Sequence, residues 1–148
     1  MDELGEKLRG VRMKDIRRFY EENEALMVNE DHAFADYMRK VFREKKLSQQ
    51  EIFLWADIPE RYGYKLISQE KHTRQRDIIL RICYAAQFTL EETQKALHLY
   101  RMPELYAEFA RDALIMVAFE ERPGDIIDVN TMLRKNGLSP LRSSGTVE

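Results

Sequence analysis

The sequence predicts an all-α protein, and three observations predict it. Gly and Pro are scarce, 6 and 4 of 148 residues, which argues against an all-β chain of tight turns. No stretch of any length alternates apolar and polar residues with period two. Apolar residues recur instead at three- and four-residue spacing, and capping residues stand at the breaks. The pattern predicts seven or eight short helices. With 44% hydrophobic and 34% charged residues, the chain can build one domain, or one domain with an extension, and is not disordered as a whole.

Residues 14–27 read as the first helix, with Ile16, Phe19, Tyr20, Asn23 and Met27 along one stripe. Asn29-Glu30-Asp31 breaks it and offers N-caps to the next. That helix, residues 33–45, gathers Phe34, Tyr37, Met38, Val41 and Phe42 on one face. It ends in Lys45-Lys46, where cations suit the negative end of the helix dipole. Ser48-Gln49-Gln50-Glu51 is a capping box that opens a helix to about Ala56. Asp57-Ile58-Pro59 is a tight break, and Pro59 suits the first turn of a helix reaching Ser68. A polar loop at 69–73 leads to a helix at 74–86 with Ile78, Ile79, Ile82, Cys83 and Ala86 on its apolar face. Thr89-Leu90-Glu91-Glu92 is a second capping box, for a helix to about Leu99. After Pro103, residues 104–119 are apolar nearly all round and predict the central core helix. Arg122-Pro123-Gly124 stops it. Asp125 can cap a last helix to about Lys135, and Asn136-Gly137 ends that helix in the left-handed manner. Residues 139–148 are expected to fray. Most of the aromatic residues are expected in the core; Trp55, near the end of the bracing helix, is expected to cap the core, with a contact patch as the alternative.

An offset of 36 residues recurs in the second half. It relates the caps Thr89 and Asp125, the pair Leu97 and Leu133, and Met102-Pro103-Glu104-Leu105 to Leu138-Ser139-Pro140-Leu141. Two similar helix-plus-loop units side by side are predicted.

Several function classes are excluded or disfavoured. No apolar run approaches the roughly 18 residues of a membrane span. The first ten residues carry Asp2, Glu3 and Glu6 and lack the apolar region of a secretory signal. The single cysteine, Cys83, excludes an internal disulfide framework and a multi-cysteine zinc site, and reads as a buried small hydrophobe. His32, His72 and His98 show no spacing of three or four residues, so no metal is expected. Neither a Gly-rich phosphate loop nor a nucleophile elbow occurs. Glu91-Glu92 is explained by capping, whereas Glu120-Glu121 lies unfavourably near a helix C-terminus. The expectation is a cytoplasmic, non-enzymatic protein without a cofactor and without a membrane partner.

The net charge of -2 is unevenly spread. Residues 1–32 hold 6 Lys/Arg against 9 Asp/Glu, residues 33–88 hold 11 against 7, and residues 89–148 hold 7 against 10. A mildly basic middle between acidic ends is compatible with a nucleic-acid face, and also with ordinary fluctuation.

The strongest local pattern is Leu47-Ser48-Gln49-Gln50-Glu51-Ile52, the break at Asp57-Ile58, and the segment from Pro59 to Ser68. Two short helices joined by a tight turn, between longer amphipathic helices, make the helix-turn-helix arrangement. Gln49, at the first turn of the bracing helix, can donate to a phosphate, aided by the helix N-terminus.

Residues 33–93 resemble the Cro/λ-repressor type (XRE family) of helix-turn-helix protein. Arg61-Tyr62-Gly63-Tyr64-Lys65, Leu90-Glu91-Glu92-Thr93-Gln94, Leu105-Tyr106, Arg111-Asp112-Ala113 and the ending from Gly137 to Leu141 extend the resemblance almost over the full length, to small Firmicutes-type regulators. The resemblance implies a λ-repressor-like bundle, with residues 1–32 as an N-terminal helical extension, 33–93 as the helix-turn-helix domain, 94–141 as helices completing the bundle and 142–148 as a flexible tail. It implies a DNA-binding transcriptional regulator. The chain departs from the family at two places. Phe53 stands where a small residue is usual and Gly63 where a branched aliphatic is usual, so volume is exchanged between the two motif helices. Gln69 and Thr73 replace a usual Gly and Pro in the loop that follows.

The expected DNA contacts are Gln49, Arg61, Tyr64, Lys65, Ser68, Lys71 and Arg74, with Arg76 as a further phosphate candidate. Arg61 is placed to read guanine through two hydrogen bonds, and Tyr64 to meet a phosphate or a thymine methyl. Lys65, Lys71, Arg74 and Arg76 are expected on phosphates. The expected partners are double-stranded DNA and, through it, a second copy of the chain, since two half-sites multiply affinity. The alternative is a protein-interaction module on the same scaffold, for which Glu60 in the reading helix and the acidic ends speak.

Overall fold

The computed structural model describes residues 3–27 and 31–143. The chain divides into two compact units, residues 1–31 and residues 32–148. Among the described residues the protein is helical, with no strand.

The first unit holds α1 (Glu3–Leu8), a 3-10 turn at Met13–Asp15, α2 (Ile16–Glu22) and a second 3-10 turn at Glu24–Leu26. The single helix expected over 14–27 is therefore broken. Asn23 leaves the helical conformation at φ -119° and ψ 20°, and its side-chain amide donates to Phe19 O at 2.8 Å. An Asn that bonds the backbone in this way competes with the helix ladder. Helix α1 has no counterpart in the sequence expectation.

The second unit holds α3 (Ala33–Lys45), α4 (Gln49–Ala56), α5 (Glu60–Ile67), α6 (Arg76–Ala85), α7 (Leu90–Leu99), α8 (Ala110–Glu121) and α9 (Ile126–Lys135). Helix α3 takes no side-chain cap from the residue before it. Gln69, 34 residues on, supplies the acceptor: its Oε1 receives the Ala35 N–H at 3.0 Å. Of the caps expected at 29–31, residues 29 and 30 lie outside the described residues, and the N-cap position itself is held by His32. Thr89 and Asp125 each form a complete capping box, with Glu92 and Asp128.

The central helix is α6, not the segment at 104–119. Every residue from Asp77 to Ala85 is buried, whereas α8 buries only Asp112, Ile115, Ala118 and Phe119 and leaves Val117 exposed. Helix α8 also starts six residues later than expected, at Ala110. The stretch before it is held open by side chains. The Gln94 amide donates to Leu105 O and accepts from Leu105 N, both at 2.8 Å, and Asp112 accepts the Tyr106 N–H at 3.0 Å. Backbone groups satisfied in this way need no helix.

Residues 76–142 contain two related hairpins. In the first, α6 and α7 are followed by Leu105, which the Gln94 amide holds. In the second, α8 and α9 are followed by Leu141, whose N–H goes to Asn130 Oδ1 at 2.8 Å. Both helices α7 and α9 close through a residue at positive φ, Arg101 (60°) and Gly137 (72°), with Met102 N bonded to Leu97 O and Leu138 N to Leu133 O, each at 2.9 Å. This is the sharp left-handed stop. The hairpins are joined by crossed ion pairs. Arg76 meets Asp112 at 2.5 Å, and Arg111 meets Asp77 at 2.9 Å. Each arginine also reaches loop carbonyls of its own hairpin, Arg76 those of Pro103 and Glu104, Arg111 those of Ser139 and Pro140.

The fraying expected from residue 139 does not begin there. Arg81, buried at 5% exposure, donates to Ala56 O, Leu141 O and Arg142 O, and Asp77 accepts the Arg142 N–H. The segment through Arg142 is a strap across α6, and Arg81 also ties α6 to the close of α4. Cys83 lies fully buried on α6, and burial pushes its thiol well above the ordinary range.

Candidate nucleic-acid interface

Ser48 Oγ accepts the Glu51 N–H at 3.1 Å and starts α4. The helix stops at Asp57, whose φ of 56° is left-handed, and Ile58 N returns to Phe53 O at 3.0 Å. Ile58 then enters the core, and Pro59 sets the start of α5 from the N-cap position, one residue before the place expected for it. Two short helices are thereby joined by three residues.

The helices meet where the sequence exchanged its volumes. Phe53 is fully buried, and its ring lies over Gly63, where an added Cβ would stand 2.6 Å from the ring. The Tyr64 ring packs edge-on to Phe53 at 5.3 Å between centroids. Helix α5 turns Gly63, Leu66 and Ile67 inward and presents Glu60, Arg61, Tyr64 and Ser68 outward, with Lys65 half-buried.

The outward residues are not equally available. Among the described residues, the Arg61 side chain makes no ion pair or hydrogen bond, so its guanidinium is free to meet a ligand. The Tyr64 phenol is pushed above its ordinary value, first by desolvation and then by the neighbouring Glu60 carboxylate. Ser68 Oγ is already engaged: it donates to Lys65 O at 3.2 Å and accepts the Glu70 N–H at 3.4 Å. Gln49 is the first residue of α4 and half-buried.

Lys71 and Arg74 are exposed in the loop between α5 and α6. Arg74 precedes α6 rather than belonging to it. The loop is firmly seated: Lys71 N bonds to Lys65 O, Thr73 N to the Tyr100 hydroxyl, and the His72 ring stacks on Tyr100 at 4.4 Å and 4°. Gln69, at φ 67°, occupies the conformation that a Gly would hold without cost. Arg76 does not join this face, because Asp112 and two carbonyls take its guanidinium.

Two further surfaces are present. Trp55 is 47% exposed, contrary to a core position, and borders a cavity of about 360 Å³ with Tyr84, Gln87, Arg122, Asp125 and Ile126. Arg122 fills part of that wall, over the rings of Tyr84 and Phe119, with its donors on Tyr84 O and Phe88 O. An apolar groove of about 500 Å³ runs between Leu90, Ala107, Ala113, Met116 and Val117, edged by Glu120 and Glu121. Among the described residues no helix is long and apolar enough to cross a membrane.

No family model, curated protein or solved structure matches the chain.

Proposed function

We propose that this chain is a sequence-specific DNA-binding regulator in which α4, the turn at residues 57–59 and α5 act as a helix-turn-helix of the λ-repressor kind. The observation that carries this reading is the two-sided character of α5. Its inner side is fitted to α4 through Gly63 and Phe53, while its outer side offers an unengaged Arg61 beside Tyr64 and Lys65. A reading helix needs both properties: a rigid seat and donors aimed outward. Arg61 would bond O6 and N7 of a guanine, Lys65, Lys71 and Arg74 would take phosphates, and Gln49 would place a phosphate at the start of α4. Ser68 would serve by ending the helix.

Fluorescence anisotropy with the DNA upstream of the chain's own gene and with a random duplex, over a salt series, tests the reading. Tighter binding to one duplex, with that preference reduced in Arg61→Ala, supports it. Absence of binding to either duplex at low salt overturns it.

The second reading, a protein-interaction module, rests on the apolar groove beside α8, where Val117 is 55% exposed and Glu120 and Glu121 supply a charged edge. Failure of DNA binding would favour this reading.

A further inference from the structure

We infer that the nucleic-acid face extends beyond α4 and α5 onto α3, where Arg39, Arg43 and Lys46 form a phosphate-binding stripe. The inference rests on the DNA-binding reading and adds to it a second row of contacts on a different helix.

The two flanks of α3 differ in charge. The flank towards α7 is neutralised: Lys45 pairs with Glu92 at 2.9 Å, and the Tyr37 hydroxyl donates to Glu92 O. Glu44 also lies on that side, close enough to act on Tyr37. The other flank begins at Ala35, whose N–H is held by Gln69 from the end of α5. Arg39 and Arg43 follow Ala35 at steps of four along the helix, and Lys46 closes the line three residues later at its left-handed end. Residues at such spacing share one side of a helix. Arg39, Arg43 and Lys46 are all exposed, and among the described residues none has an intramolecular ion pair.

Arg39, Arg43 and Lys46 make no ion pair among the described residues, although Asp36 is exposed three residues before Arg39 on the same side. The line ends two residues before Ser48, the cap of α4, so it runs into the helix N-terminus at which Gln49 sits. At 1.5 Å per residue, Arg39 to Lys46 covers about 10 Å. Three cations spread over that length can meet no more than about three phosphates of one DNA strand. The stripe positions the protein on the backbone and carries no sequence information.

The test compares the full chain with the triple variant Arg39→Gln, Arg43→Gln, Lys46→Gln. A control, Lys95→Gln, Arg134→Gln, Lys135→Gln, removes equal charge elsewhere. All are titrated with the upstream and the random duplex over a salt series, and melts confirm folding. The expected result is that the stripe variant binds both duplexes more weakly, with unchanged preference between them. The slope of log affinity against log salt falls by up to about three, at roughly 0.9 per phosphate, and the control falls by much less. An unchanged slope in the stripe variant, while wild type still binds, overturns the stripe and leaves the reading of α5 standing. An equal fall in the control also overturns it, since net charge would then suffice. If wild type binds neither duplex at low salt, the reading of α5 fails and the stripe with it.

Discussion

Gly63 and Phe53 share one space: the ring of Phe53 occupies the volume in which a side chain at 63 would begin, with an added Cβ 2.6 Å from its Cγ. Phe53 has no exposure, and its ring rather than the end of a flexible side chain is what the added Cβ meets. Gly63→Ala would gain about 1 kcal/mol of helix propensity, yet the clash outweighs it. Both Gly63→Ala and Gly63→Val should lower the melting temperature, the Val variant by more than about 1 kcal/mol in stability. Phe53→Ala in the Gly63→Val background should recover part of the loss. A thermal melt of Gly63→Val that matches wild type would show that the two helices can separate at no cost.

Gln69 combines a left-handed backbone with a cap for α3 made by its side chain. The two roles predict different outcomes for two substitutions. Gln69→Ala keeps the strained backbone and loses the cap, and should cost about 1–2 kcal/mol. Gln69→Gly loses the cap but relieves the strain, and should cost less than Ala by about 1 kcal/mol. Chemical denaturation of the two variants gives the order directly.

Asp112 is nearly covered, with its side chain 6% exposed, and it receives Arg76 and the Tyr106 N–H together. Arg76→Met would leave this carboxylate buried and uncompensated, at a cost of about 3 kcal/mol. Arg76→Met with Asp112→Leu should cost less than the sum of the single changes. The double-mutant cycle measured by urea unfolding decides whether the pair acts as a unit.

Glu92 predicts an acid limb in the stability profile. Burial alone raises its pKa, but the Thr89 N–H and the Lys45 ammonium more than offset that, and the net shift is downward. A carboxylate with a lower pKa in the folded than in the unfolded state contributes stability that is complete above the ordinary carboxylate range. That contribution is lost as the pH falls through the folded value. Glu92→Gln should therefore be less stable than wild type at neutral pH, and the difference should shrink below about pH 4. Urea midpoints at several pH values give the comparison.

Arg61 differs from Lys65 in what each would do at DNA. Arg61→Ala should cost about 1–3 kcal/mol of discrimination between the preferred and random duplex. Arg61→Lys should keep the charge and still lose most of the preference, because an ammonium cannot match the paired acceptors of guanine. Lys65→Gln should weaken both complexes alike. The ratio of the two affinities, measured at one salt concentration, separates these outcomes.

The local signals in the sequence were sufficient where structure is decided locally. Ser48, Thr89 and Asp125 each marked a helix start, and Gly137 marked a stop. The exchange of size between Phe53 and Gly63 was legible as well, because a motif of known spacing set the two positions against each other. Several of the misreadings involve partners well separated in sequence, whereas the break of the helix expected over 14–27 is local, with Asn23 bonded to Phe19 O. Gln69 reaches across 34 residues, which no window along the chain reveals. Residues 104–109 look helical by composition, and are held open by Gln94 and Asp112. Arg76 looked like a surface cation because its acid lies 36 residues away. For the same reason α6, with Asp77 and Arg81 among its apolar residues, looked less central than α8, although the partners of those two charges make their burial tolerable.

The crossing of Arg76 with Asp112 and of Arg111 with Asp77 gives the duplicated hairpins a saturated bonding capacity. In a ladder built by translation, each rung would hand its acid to the next, leaving a donor unsatisfied at one end and an acceptor at the other. Here the handshake is mutual and nothing is left over. A third rung would find no partner, and removal of either rung would strand an acid in the interior of the other. Growth or loss of this part of the chain by single hairpins is therefore disfavoured, and the dyad behaves as an indivisible pair.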